Sequence, residues 1–368
     1  MREYWTFEKI VKEFDTEEID GTELLSYDWS GYTKEQWVEF RSNLLGIGGS
    51  GIGTIMGHNL YKDPLTYFYE IIGLIQGKFT DTTYTFWGTM FEDSILKAWQ
   101  YWGGTPKSMY ENMKTDNKVS RAYDPYKTFI NPEYPYLFAN LDGIITKHRV
   151  YGNQKGILEI KNLSAQYADR FKMKAPVKYF LQVHHYMMVM GLEYGELAIR
   201  NSRGEFRVFP IKRNDSIREK ILRTSTRFME AVKLALDTLP SVDTEEEALD
   251  ICIEIENMYS DVLTVGSSPE MRKHMSKRHS IRKSLVQIEP EPELEELAVK
   301  YMAIKQQIKN YEDQYHQLGN QIRRSMTQRK ANKVEGDGWY ISFNKRLMVN
   351  VSEKKINDEI NRQTNSHP

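Results

Sequence analysis

Cysteine is all but missing: the 368 residues hold one, Cys252. A single thiol can form no disulfide within the chain and cannot build a cysteine-rich zinc or iron–sulfur site. The expected compartment is a reducing cytoplasm. Long apolar runs are missing too. No stretch of about 18 apolar residues occurs, and Met1-Arg2-Glu3-Tyr4 opens into a charged and aromatic segment with no signal-peptide core. No membrane span is expected. An excess of charge is the third absence. With 50 Lys+Arg against 51 Asp+Glu, the formal net charge is −1. Any surface for a polyanion must therefore come from local clustering.

What is present suits a soluble globular protein, with 40% hydrophobic and 27% charged residues. The length fits one main domain plus an appendage. The stretch Leu158-Glu159-Ile160-Lys161 organises the reading. On a strand, side chains repeat every second residue, so Glu159 and Lys161 share one face and Ile160 takes the other. Upstream, Tyr136 to Ile145 reads as a strand that carries Asp142. Tyr151-Gly152-Asn153-Gln154-Lys155-Gly156 reads as the turn of a hairpin. Such a hairpin brings Asp142 to Glu159.

Further elements surround this pair. Gly88 to Trp102 reads as a helix with Phe91, Ile95, Leu96, Trp99 and Trp102 along an apolar stripe and Glu92 at its edge. Tyr179 to Leu192 is a second helix, with Gln182, His185, Tyr186 and Val189 on one face. Residues 103–136 read as loops and short strands. Leu197-Ala198-Ile199 and Phe206-Arg207-Val208-Phe209 suggest two more strands, and Asp215 caps a helix to about Leu239. Helix, hairpin, helix, strand pair and helix give an α/β core with a mixed sheet.

The segment Arg41 to Met56 crowds Gly46, Gly48, Gly49, Ser50, Gly51 and Gly53 before a helical pattern. Glycines admit close backbone approach, and a helix start offers free amides to an anion. Two readings compete: a phosphate site using Ser50, these amides and Arg41, or a flexible turn before a helix. The spacing matches neither the P-loop nor the dinucleotide fingerprint.

The last third is of another kind. Glu245-Glu246-Glu247 to Tyr259 is an acidic helix, and Arg272 to Lys283 is basic. From Leu294 to Ile322, apolar residues recur at alternating steps of three and four. That is a heptad seam of about four repeats on one long helix. Glu335 to Val351 reads as a β-hairpin, and 352–368 as a frayed tail. Expected boundaries are 1–40 for a segment packed on the core, 41–240 for the core, 241–292 for an acidic-then-basic helical connector, 293–334 for the heptad helix and 335–368 for hairpin and tail.

Two carboxylates on paired strands, with the Ile160 carbonyl beside them, suit a hard cation such as Mg²⁺. An adjacent lysine can orient or deprotonate water and balance phosphate charge. Asp142…Glu159-Ile160-Lys161 resembles the core of the PD-(D/E)XK nuclease superfamily. With Trp87-Gly88-Thr89-Met90-Phe91-Glu92, Leu141-Asp142-Gly143 and Gln182-Val183-His184-His185-Tyr186, the set resembles the phage lambda exonuclease/YqaJ viral recombinase family over roughly residues 41–210.

The resemblance implies a restriction-endonuclease-like fold, its mixed central sheet flanked by helices, with a helical C-terminal appendage ending in a hairpin. It implies Asp142, Glu159, the Ile160 carbonyl and Glu92 as metal ligands, Lys161 as catalytic lysine and Gln182 as a positioning group supported by Tyr186. Arg41, Gly49 and Ser50 resemble the family's site for a terminal 5′-phosphate. Leu141 stands where the superfamily's nominal motif has proline.

The implied activity is Mg²⁺-dependent 5′→3′ digestion of double-stranded DNA, with Mn²⁺ as substitute cation and no iron–sulfur cluster. The 3′ strands would pass to a single-strand annealing protein in phage or prophage recombination in a bacterial host. Some members form trimeric rings. A related endonuclease or flap nuclease is the alternative, separated by comparing closed circular with linear DNA. A non-catalytic DNA-binding scaffold using the heptad helix is another, and it has no need of the acid and lysine set.

Overall fold

The computed structural model describes residues 4–75, 83–171, 174–281, 289, 291–335, 339–343 and 349–353. They fall into two compact units, Met1–Lys283 and Ser284–Pro368.

The first unit opens with α1 (Phe7–Glu13), β1 (Asp15–Ile19), β2 (Thr22–Asp28), α2 (Lys34–Asn43), β3 (Ile47–Gly48), α3 (Gly49–Ile55) and α4 (Pro64–Ile71). Then come α5 (Thr83–Gln100), α6 (Pro106–Lys114), β4 (Arg121–Tyr123), β5 (Lys127–Ile130), β6 (Leu137–Asn140), β7 (Gly143–Lys147) and β8 (Gly156–Leu163). It closes with α7 (Ala165–Ala168), α8 (Val177–Met190), β9 (Tyr194–Asn201), β10 (Phe206–Lys212), α9 (Asp215–Thr238), α10 (Glu245–Met258) and α11 (Pro269–Ile281). Two five-stranded sheets result, ordered β1-β2-β5-β6-β3 and β10-β9-β8-β7-β4. Both are mixed: β3 runs parallel to β6 and β8 parallel to β9, the other pairings being antiparallel.

β8 is the central strand of the second sheet because it is apolar on both faces. Ile157 joins the main core, whereas Leu158 and Ile160 join a second cluster with Ile95 and Trp99 of α5. An apolar strand flanked on both faces is what a parallel pairing requires. α8 is buried at every position from Leu181 to Met190, including its polar Gln182, His184 and His185, each of which has a hydrogen-bond partner. His185 Nε2 meets the Phe138 carbonyl of β6 at 2.9 Å, and Gln182 reaches Glu159 of β8. The helix therefore ties one sheet to the other.

The expected β-hairpin forms, with Gly143 opposite Leu158. The single strand expected over 136–145 does not. It breaks at Leu141-Asp142 into β6 and β7, which lie in different sheets. Asp142 Oδ2 accepts the Ile160 N–H at 2.8 Å, so a side chain takes the amide that a continuous ladder would have bonded. Residues 106–114, expected as loop or strand, form α6, started by Pro106 and a Thr105–Ser108 capping box. Asn214, not Asp215, caps α9.

The first unit continues past Pro240. Cys252, Ile255 and Met271 of α10 and α11 lie in the main core. Arg278 bonds Glu256 at 3.0 Å, and Ser268 bonds Asp63 at the start of α4. The acidic and basic helices are thus packed elements of this unit.

The second unit holds α12 (Pro292–Gln328), β11 (Lys333–Glu335), β12 (Trp339–Phe343) and β13 (Val349–Glu353). Its three strands form one antiparallel sheet where a two-stranded hairpin was expected. Gly336-Asp337-Gly338, which fall within the expected hairpin, and residues 354–368 of the expected tail lie outside the described residues. Among the described residues no helix is long and apolar enough to cross a membrane.

Candidate active site

The site is built on β8. Glu159 is fully buried and Lys161 partly so. Lys161 Nζ pairs with Glu159 Oε1, donates to the Ile160 carbonyl at 2.8 Å and lies 3.5 Å from Asp142 Oδ2. One ammonium therefore faces three oxygens that the sequence assigned to a metal. Gln182 Nε2 donates to Glu159 Oε1 at 2.7 Å and lies 3.1 Å from Tyr186 Oη. Glu159 Oε2 is buried with no hydrogen-bond partner.

That orphan oxygen tests the fit of a cation. A buried carboxylate oxygen without a donor is unfavourable, and a bound cation would relieve it. Asp142, Glu159 and the Ile160 carbonyl offer the hard oxygen ligands that Mg²⁺ takes. Among the described residues no three His, Cys, Asp or Glu side chains converge at ligand distance. Mg²⁺ commonly uses one or two carboxylates and completes its shell with water and phosphate, so the two carboxylates of the hairpin fit it.

The electrostatics follow from burial. Burial, then Asp142, pushes Glu159 up to about 8, against the pull of Lys161. Burial would lower Lys161, but Asp142 and then Glu159 outweigh it and hold the ammonium well above its usual value. The two directions compete, since a neutral Glu159 would weaken its hold on Lys161. The ammonium is the firmer assignment, because Asp142 faces it as well and stays partly in contact with water. Glu92 is pushed up to about 7 by burial and by Asp142. It keeps substantial solvent exposure, so screening reduces this shift without reversing it.

Glu92 is held in the site by its helix. Trp99 Nε1, on the same α5, donates to buried Glu196 of β9 at 2.7 Å, and Glu196 also meets His148 and Arg149, each at 3.1 Å. At the other end of α5, Asn162 Nδ2 reaches the Trp87 carbonyl at 3.4 Å and Arg200 lies 4.1 Å from the Phe91 ring centroid.

The glycine segment is not the flexible turn that was one of its two readings. It is strand β3 running into α3, and Gly46, Gly48, Gly49, Gly51 and Gly53 are buried. A Cβ on Gly49 would sit 2.6 Å from Tyr186 Oη, one on Gly51 2.6 Å from Tyr67 Oη, and one on Gly53 2.7 Å from Lys178 Cγ. The glycines let α3 seat against α8 and position the Tyr186 ring. Ser50 faces solvent on α3, and Arg41 lies on the last turn of α2, 5.9 Å from the Trp37 ring centroid. Tyr186 and Tyr67 are within electrostatic reach of Arg41.

Gly49→Ala is therefore expected to displace Tyr186 and break its contact with Gln182. Overpacking of this kind costs about 1–3 kcal/mol, to be read by denaturant unfolding. Gly31→Ala, which meets open space, is the silent control. Equal stability of the two variants would refute this role for Gly49.

Four neighbours were not anticipated. Asp124 is pushed up to about 6 by burial, with Asp142 and Asp93 adding to it. It precedes β5 in an Asp124-Pro125 turn, whose only sequence signal is that of a turn. Tyr179 places its ring centroid 5.6 Å from Lys161 Nζ. Lys178 is lowered by burial and then by Lys161 and Lys62. Tyr67 packs over Gly51. His184 and His185 belong to the scaffold: burial lowers both, His185 to about 4.

Residues 36–193 match the YqaJ-like viral recombinase domain. Uncharacterized protein YqaJ of Bacillus subtilis (strain 168) is 24% identical over 334 residues, which are 90% of this chain and 89% of that protein. An alkaline exonuclease from Laribacter hongkongensis aligns in its crystal structure at 16% identity, over 56% of this chain and 96% of that one, with TM-score 0.42. The same exonuclease in complex with dAMP aligns at 16% identity over 53% and 91%, with TM-score 0.40.

Proposed function

We propose that this YqaJ-like recombinase domain is a Mg²⁺-dependent deoxyribonuclease that digests duplex DNA from its 5′ ends. One observation carries the reading: the lysine of β8 bridges Glu159, Asp142 and the Ile160 carbonyl, while the second oxygen of Glu159 is buried and unpaired. A structural ion pair needs no such surplus of oxygens. A cation site does.

Asp142, Glu159 and the Ile160 carbonyl would hold Mg²⁺, with Glu92 at its margin, and Mn²⁺ would substitute. When bound, Mg²⁺ supplies charge stabilisation at the phosphate and acidifies an attached water. Gln182 fixes Glu159 Oε1 and so sets the orientation of the carboxylate. Asp142 and Glu159 hold Lys161 protonated; shared with a cation they would support the ammonium less, and Lys161 would accept a proton from water or, as ammonium, face the phosphate. Arg41, within electrostatic reach of Tyr186, and Ser50, next in sequence to the Gly49 that packs on the Tyr186 ring, would receive the terminal 5′-phosphate. The long 3′ strands would suit a single-strand annealing partner.

Polarity is the deciding measurement. Linear duplex labelled at one end and incubated with Mg²⁺ should release 5′ nucleotides first, and a 5′-hydroxyl end should slow the reaction. Asp142→Asn should abolish digestion of both substrates. Cleavage of closed circular duplex at the same rate would replace the exonuclease reading with an endonuclease. Undiminished digestion by Asp142→Asn would remove the site from the chemistry altogether.

A further inference from the structure

The 37-residue helix α12 carries an apolar seam that the described residues of the second unit leave open. Every seam residue from Leu294 to Leu318 is more than half exposed. Monomers seldom expose so long an apolar stripe without a partner. The stripe follows a strict heptad, with Leu294, Tyr301, Ile308, Tyr315 and Ile322 at a and Leu297, Ile304, Tyr311 and Leu318 at d. It extends for about 42 Å along the helix at 1.5 Å per residue.

We propose that the partner is a second copy of α12, and that the two helices run antiparallel as a two-stranded coiled coil. The seam itself argues for the direction. Parallel pairing puts like on like, so Tyr301, Tyr311 and Tyr315 would each stack on themselves in one layer. Antiparallel pairing sets a against d, and one register sorts the layers: Tyr301 on Leu318 of the second copy, Ile304 on Tyr315, Ile308 on Tyr311 and Leu297 on Ile322. Each large ring then meets an aliphatic side chain, and no layer holds two rings.

The flanking charges argue the same way. A parallel pair places position g against e of the partner, which opposes Lys300 to Lys305 on both sides. The antiparallel register places e against e, and opposes Lys305 to Glu312 on both sides instead. Gln307, Gln314 and Gln321 fill the remaining g positions and face one another or Lys300 without repulsion. This inference does not depend on the nuclease reading.

Cysteine cross-linking of the full chain tests it, since the one native thiol, Cys252, is buried. Leu297→Cys and Ile322→Cys lie on an exposed helix and should fold. Mixed together under mild oxidant, they should give a covalent dimer, and neither should cross-link alone. Self-cross-linking of either single variant would establish a parallel pair and overturn the proposal. So would the absence of any cross-link in the mixture. Lys305→Glu should weaken the mixed cross-link about tenfold, since it converts two attractions into repulsions, and Lys305→Glu with Glu312→Lys should restore it. A stronger cross-link in Lys305→Glu alone would also count against the antiparallel register.

Discussion

Lys161→Gln is expected to lower Mg²⁺-dependent cleavage of linear duplex by about 10³-fold, within the range that a single acid–base or charge-stabilising group supplies. That is roughly 4 kcal/mol of transition-state stabilisation. Glutamine is the informative substitution, because its amide can still donate to Glu159 Oε1 and to the Ile160 carbonyl, the two nearest oxygens. The fold should therefore survive, as read by thermal unfolding. What glutamine cannot do is carry the positive charge that Asp142 and Glu159 sustain at this position. Lys147→Gln, on exposed surface at the end of β7, should leave the rate unchanged. The rate ratio should also persist at saturating Mg²⁺. If added Mg²⁺ restored Lys161→Gln to the parent rate, Lys161 would only assist cation binding. Undiminished cleavage at every Mg²⁺ concentration would exclude it from the chemistry.

The parts of this site that sequence revealed are those governed by short-range periodicity. β8 shows itself because an acid and an amine interrupt a run apolar on both faces. The hairpin shows itself because Tyr151 to Gly156 is rich in turn formers. The heptad of α12 is equally plain. What stayed hidden depends on distant contacts. Nothing local in Leu137 to Ile145 announces that Asp142 will take the Ile160 N–H and send β6 and β7 to separate sheets. The glycines before Met56 suggested a loop, since their composition cannot report the rings of Tyr186 and Tyr67 packed against them. Pro240 looked like an edge because charge runs follow it. The apolar positions that return α10 and α11 to the core, Cys252, Ile255 and Met271, are sparse and set among charges. Asp124 reached the site by the path of a turn, and turns carry no periodicity to extrapolate.

Mg²⁺ is expected to stabilise the protein at alkaline pH and far less at acid pH. Glu159 supplies the sign. Its folded value, about 8, lies above the ordinary 4.5. Its contribution to stability is thus fully present below about pH 4.5 and is lost as pH rises through about 8. Glu92, pushed up to about 7, adds in the same direction, though solvent screening keeps its share small. Lys161 does not oppose this trend within the window, because its raised value leaves it protonated in both states up to its ordinary 10.5. Without divalent cation, the melting temperature should therefore decline from about pH 5 to about pH 8. A cation needs the carboxylates ionised, so its affinity should rise over the same interval as protons are displaced. At about a hundredfold excess over its dissociation constant the ion would contribute roughly 2.7 kcal/mol. The shift caused by Mg²⁺ should therefore be small near pH 5.5 and several degrees near pH 8.5. Glu159→Gln should flatten both the decline and the shift, because it removes the titrating oxygen and one ligand together. A Mg²⁺ shift of equal size at both pH values, or one retained in Glu159→Gln, would show that the ion binds elsewhere.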